Sequence, residues 1–167
     1  MPTFATKTLV VAFFFATLVV GNSAQAQAPI PYGEPIKLEL ANKVIAAAAV
    51  EARKNDWPVA IAVVDPAGFL VAFQRLDNTQ LGSVEVALEK AKTSALFRRP
   101  TKAFEETLAM GGANLKILKL PGGLPVEGGL PILHEGKIIG AIGVSGVKST
   151  EDAQIASAGL QSLNSPK

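Results

Sequence analysis

The chain has 167 residues, 49% of them hydrophobic and 18% charged, which suits one domain with a filled core and excludes a disordered chain. Sixteen Lys+Arg stand against fourteen Asp+Glu, a formal charge of +2 with no basic run and so no footprint for nucleic acid. The absence of cysteine excludes disulfides, Cys-based zinc sites, iron–sulfur clusters and thiol nucleophiles.

At the N-terminus Lys7 precedes the apolar run Leu9 to Val20, which is followed by Gly21-Asn22-Ser23-Ala24-Gln25-Ala26. A basic start, a short apolar stretch and an Ala-x-Ala end form the pattern of a secretory signal peptide, and the run falls short of the ~20 residues of a spanning helix. Residues 1–26 are therefore read as a signal peptide cleaved after Ala26, with Ala28 as the alternative. The mature chain is expected in the periplasm or secreted, with no stable membrane anchor. Losing Lys7 leaves fifteen cations against fourteen anions.

Residues 27–35 are Pro-rich, contain the single Tyr32, and read as an extended arm. From Ile36 to Asn55, Leu38, Ala41, Val44, Ile45, Ala48 and Ala52 recur at steps of three and four, predicting an amphipathic, Ala-rich helix suited to lying close on a sheet. Val59 to Val64 is wholly apolar and β-branched, predicting a central strand covered on both faces. Asp65-Pro66-Ala67-Gly68 suits a type I turn into a second strand, Phe69 to Arg75.

A polar loop, Leu76 to Gly82, leads to a helix from Ser83 to about Arg98, ended by Pro100. A third helix is predicted from Thr101, its N-cap, to Met110, ended by Gly111-Gly112. Leu115 to Gly129, with Pro121-Gly122-Gly123 and Glu127-Gly128-Gly129, reads as a folded loop without regular structure. Strands Leu130 to His134 and Lys137 to Val144 follow, joined by the two-residue turn Glu135-Gly136. A last helix, Thr150 to about Leu163, places Ala153, Ala156, Leu160 and Leu163 on one stripe, with Glu151 and Asp152 at its favourable N-terminal end. Hairpins separated by helices predict an α+β domain with helices packed on an antiparallel sheet.

Four segments, in order, resemble the GlcG/HbpS-like family of haem-binding proteins: Ala60 to Asp77, Lys90-Ala91-Lys92-Thr93-Ser94-Ala95, Gly128-Gly129-Leu130-Pro131-Ile132, and Gly140-Ala141-Ile142-Gly143-Val144-Ser145-Gly146. The likeness covers nearly all of Leu38 to Leu163. It implies a single profilin-like domain over residues 36–167, with a five-stranded antiparallel sheet and helices packed on it, assembled as a homo-oligomer. It further implies haem as cofactor or ligand, with haem sensing or degradation for some members and no established activity for many others, so fold is better supported than function.

Haem requires an axial ligand, an apolar slot and cations for its propionates. After residue 26 the chain offers His134, Met110 and Tyr32 as ligands, and His134, beside the hairpin turn, reads either as a solvated residue or as a haem or metal ligand. The single histidine weakens any Ser-His-Asp proposal, since Ser145 lies in a Gly-rich turn with no evident orienting partner. The helix beginning at Ser83 carries a main apolar stripe of Val84, Ala87, Leu88, Ala91 and Ala95, and a second stripe of Val86, Lys90, Thr93 and Phe97. The second lines a pocket or subunit interface, with Thr93 a hydroxyl contact and Lys90 a carboxylate partner, or it packs under a loop. Gly128 and Gly129 present backbone N–H groups to an anion or serve a sharp turn. Asp65, Arg75 and Asp77 read as turn and surface ion-pair residues.

The leading reading is an exported protein binding a small molecule, haem or a related tetrapyrrole. The alternatives are an enzyme acting on a small acidic metabolite through Lys90, Thr93 and the Gly128-Gly129 loop, and a non-catalytic assembly module.

Overall fold

In the computed structural model, the structure describes Met1 and residues 28–164, so the predicted signal peptide, apart from Met1, lies outside the described residues. The elements in chain order are α1 (Leu38–Lys54), β1 (Ala60–Val64), β2 (Leu70–Arg75), α2 (Ser83–Phe97), α3 (Lys102–Ala109), a 3-10 helix (Gly112–Lys119), β3 (Gly129–His134), β4 (Lys137–Ser145) and α4 (Ser149–Gln161). All strand pairs in the sheet are antiparallel, in the order β2-β1-β4-β3. The domain is α+β as expected.

Among the described residues the sheet has four strands, not the five that the family resemblance implied. The N-terminal arm reaches β4 but makes a single parallel bridge there, Tyr32 with Ile138. Pro31 accepts from the Ile138 N–H at 2.9 Å and Gly33 donates to the Ile138 carbonyl at 2.8 Å. Pro29, Pro31 and Pro35 have no N–H to give, so the pairing cannot extend into a ladder.

β1 is covered on both faces because its alternate side chains serve two clusters. Val59, Ile61 and Val63 join Val44, Ile45, Ile142 and Ile155, the layer of α1 and α4. Ala60, Ala62 and Val64 meet Ala87, Ala91 and Ala95 of α2, with Ala141. The second layer is built of small residues, which lets α2 lie close on the sheet. Gly143 marks the tightest point, since a Cβ there would overlap the Ala87 carbonyl and the Ala91 N–H of α2.

The turns obey local chemistry. Asp65 Oδ1 accepts from the N–H groups of Ala67 and Phe69, each at 2.9 Å, and Gly68 takes φ +85° to close the first hairpin. Glu135 and Gly136 both have positive φ, 49° and 72°, as a two-residue type I′ turn requires. Thr101 precedes α3 but does not cap it with its side chain. Its hydroxyl instead accepts the Gly129 N–H at 2.9 Å. The segment expected to lack regular structure begins as the 3-10 helix, none of whose residues is buried. On α4 the buried positions are Asp152, Ile155, Ala156 and Gly159, one step around the helix from the expected stripe. Gly159 turns toward the backbone of Val44 on α1, which sets this rotation.

Candidate functional site

The residues singled out in the sequence occupy three separate places. Lys90, Gly128 and Gly129 come together at the start of β3. The Lys90 ammonium donates to Asp152 Oδ2 at 2.7 Å, and both side chains are 2% exposed. Gly128 passes so close that a Cβ would stand 2.9 Å from Lys90 Nζ and 2.8 Å from the Val144 carbonyl, at a φ of +127°. The Gly-Gly pair therefore gives room to the lysine and to the backbone of α2. The Asp152 carboxyl is pushed above its ordinary range by burial, against the opposing pull of the Lys90 ammonium. Asp152 was read from the sequence as a helix-end charge, yet it recurs with Ile155, Ala156 and Gly159 at steps of three, four and seven. Membership of that apolar line was the available signal.

Thr93 is buried. Its hydroxyl donates to the Glu89 carbonyl at 2.7 Å and accepts the Leu124 N–H at 2.8 Å. At Thr93 the second stripe of α2 is thus covered by the chain's own loop. Phe97 meets Phe104 of α3 edge-on, centroids 5.3 Å apart. The Tyr32 hydroxyl serves the carbonyls of Ala95 and Leu96, each at 3.0 Å, and Met110 lies 74% exposed after α3.

His134 stands at the other end of β3, five residues from Gly129 and hence roughly 17 Å away. It lines a groove of about 520 Å³ formed by the arm, the start of α1 and the β3–β4 hairpin. Ile36, Leu40 and Ile139 give this groove apolar walls, and Lys37, Lys43 and Lys137 stand around it with Glu34, Glu39 and Glu135. Among the described residues neither the His134 ring nor any of these lysines has a hydrogen-bond or ion-pair partner. The sequence reading found His134 but not its surroundings, because the arm is brought beside the hairpin only by tertiary pairing. Asp65 serves the turn as expected, whereas Arg75 and Asp77 make no ion pair and line a second cleft of about 610 Å³.

Fold and site, over the described residues, define a single α+β domain with a buried ion pair and surface clefts of small-molecule size. A family model described as haem degrading protein HbpS-like matches residues 36–161, and the chain belongs to that family. Protein GlcG of Escherichia coli K12 is 42% identical over 107 residues, 64% of this chain and 78% of that protein. The crystal structure of a double mutant of Streptomyces reticuli HbpS is 28% identical, covers 95% of this chain and 99% of its own, and has a TM-score of 0.73. The crystal structure of a PduOC–haem complex covers 78% of this chain and 96% of its own at 24% identity and a TM-score of 0.71, a likeness in fold.

Proposed function

We propose that this protein is exported and binds haem or a related tetrapyrrole in the groove beside His134. The observation that carries the reading is the unpartnered imidazole of the chain's one histidine, set beside apolar walls and three unpartnered lysines. The groove volume of about 520 Å³ falls in the usual range for ligand sites. The donor set suits the group. Among the described residues no cluster of three His, Cys, Asp or Glu could hold a bare metal ion, and one imidazole fits an iron already held by four ring nitrogens.

In this reading His134 would hold the iron, Ile36, Leu40 and Ile139 would shield the group from water, and Lys37, Lys43 and Lys137 would meet its acidic groups. The bound group would supply an iron centre for redox or ligand chemistry. The family's description supports the same ligand class. The antiparallel sheet flanked by helices supports a profilin-like label, and the exposed Leu70, Phe73 and Leu96 support assembly into a homo-oligomer.

Titration of the protein with hemin is expected to give a shifted Soret band at micromolar concentration, and His134→Ala to weaken binding by more than tenfold. Wild-type protein without a Soret shift overturns the ligand, and an unchanged H134A titration overturns the site. Amino-terminal sequencing of protein from the periplasm or medium, expected to begin at Gln27, tests export.

A further inference from the structure

The second cleft lies at the far end of α1, where Arg53, Asp56 and Trp57 face Arg75, Asp77 and Asn78 from the end of β2. Its volume is about 610 Å³. Two guanidiniums and two carboxylates line it, so opposite charges share one concavity. Yet no ion pair within 4.0 Å joins any of them to each other or to another described residue. All four charged side chains are exposed, at the helix end and the strand end, and the indole of Trp57, half-buried, lines the same concavity.

The backbone explains how the indole is placed. α1 closes with the Trp57 N–H on the Ala52 carbonyl at 2.9 Å and the Asp56 N–H on the Arg53 carbonyl at 3.2 Å. This is the Schellman arrangement, whose left-handed position is normally glycine. Asp56 occupies it at φ +54°, and Asn78 across the cleft has φ +62°. Asp at this left-handed position costs some stability relative to glycine, and it places a carboxylate at the cleft.

We propose that this cleft is a second ligand site, for a small amphoteric carboxylic acid of the α-amino acid type. Arg53 and Arg75 suit the carboxylate, since a guanidinium offers paired donors to its two oxygens. Asp56 and Asp77 suit the ammonium, and Trp57 offers an apolar face to the side chain. The two carboxylates repel a purely anionic ligand and the two guanidiniums a purely cationic one. A molecule bearing both charges bridges groups that the protein leaves unbridged.

Trp57 is the chain's one tryptophan, so tryptophan emission, excited selectively over Tyr32, reports on this cleft. The full chain is titrated with L-leucine and, in separate arms, with 4-methylpentanoate, which lacks the ammonium, and isopentylamine, which lacks the carboxylate. Leucine is expected to change Trp57 emission saturably in the micromolar to millimolar range, with each single-charge analogue at least tenfold weaker. Arg53→Gln and Arg75→Gln are each expected to weaken leucine binding tenfold or more while leaving the melting temperature and the hemin titration unchanged. No saturable change with leucine overturns the proposal, as does equal binding of 4-methylpentanoate or undiminished binding in both variants. Because the hemin titration reads the other cleft, failure here and failure of the haem reading are told apart.

Discussion

Lys90 and Asp152 form the one pair of charges that the described fold removes almost wholly from water. Removing one partner of such a pair strands the other, at a cost of about 3–5 kcal/mol. Asp152→Ala is therefore expected to lower unfolding stability by about that amount in urea melts. The double variant Lys90→Met, Asp152→Leu should come within ~1 kcal/mol of wild type, since it leaves no stranded charge. A loss in the double variant equal to that in the single one would show that packing, not charge, matters at this point.

The same carboxyl gives a pH signature. Burial raises Asp152 above its ordinary value, so between that value and its folded value the folded chain holds a proton that the unfolded chain releases. Its contribution is complete below the unfolded value, near 3.9, and is lost as pH rises through the folded one. Glu51 acts oppositely: its hydrogen bond from Gln154 holds it below its ordinary range, so its contribution is present above the unfolded value and lost as pH falls through the folded one. In stability measured against pH, Asp152→Asn should remove a decline with rising pH just above pH 4, while Glu51→Gln should remove a rise with pH below about 4.5. An Asp152→Asn profile parallel to wild type would contradict the raised value.

At the scale of elements, local pattern was sufficient wherever one face of an element met one neighbour. Leu38–Lys54 and both hairpins follow from periodicity and turn residues, and their ends differ from expectation by one or two positions. The reading ran out where long-range contacts decide. The step around α4 depends on Val44 of α1 and on Lys90 of α2, neither visible in α4's own sequence. The placement of Lys90 and Thr93 depends on which segment covers α2, and the Gly-rich loop that does so has no period. The small-residue layer between α2 and the sheet makes a quantitative claim. Gly143→Ala drives a methyl group into the backbone of α2, and overpacking of this kind costs about 1–3 kcal/mol. Asp56→Gly, by relieving the left-handed position at the end of α1, should instead stabilise by about 0.5–1 kcal/mol. Thermal melts of the two variants should move in opposite directions, and a shared direction would refute one of the two readings, the close approach at Gly143 or the strained end of α1.

For the whole molecule, the arm is the segment that joins places the sequence keeps apart. It supplies Gly33 to Lys37 to the His134 groove. It is also tied to the end of α2, where Tyr32 serves two carbonyls and the Arg98 guanidinium lies 5.3 Å from its ring centroid. Gly33 and Ile36 donate to β4 at 2.8 and 2.7 Å, Pro31 accepts the Ile138 N–H at 2.9 Å, and the Arg98 guanidinium donates to the Ile30 carbonyl at 3.4 Å. With so few bonds, the strap should open without unfolding the sheet beneath it. Tyr32→Ala removes both the hydroxyl contacts and the cation–π contact, the latter worth about 0.5–1 kcal/mol at an exposed site. It is expected to speed amide exchange at Gly33 and Ile36 and to expose the arm to limited proteolysis, with exchange in β1 unchanged. If the His134 groove is the tetrapyrrole site, the same variant weakens hemin several-fold, because one wall becomes mobile, and leaves Trp57 fluorescence and its response to leucine as in wild type. Loosened exchange at Gly33 with unaltered hemin affinity would separate the arm from the ligand and move the site to another face of the domain.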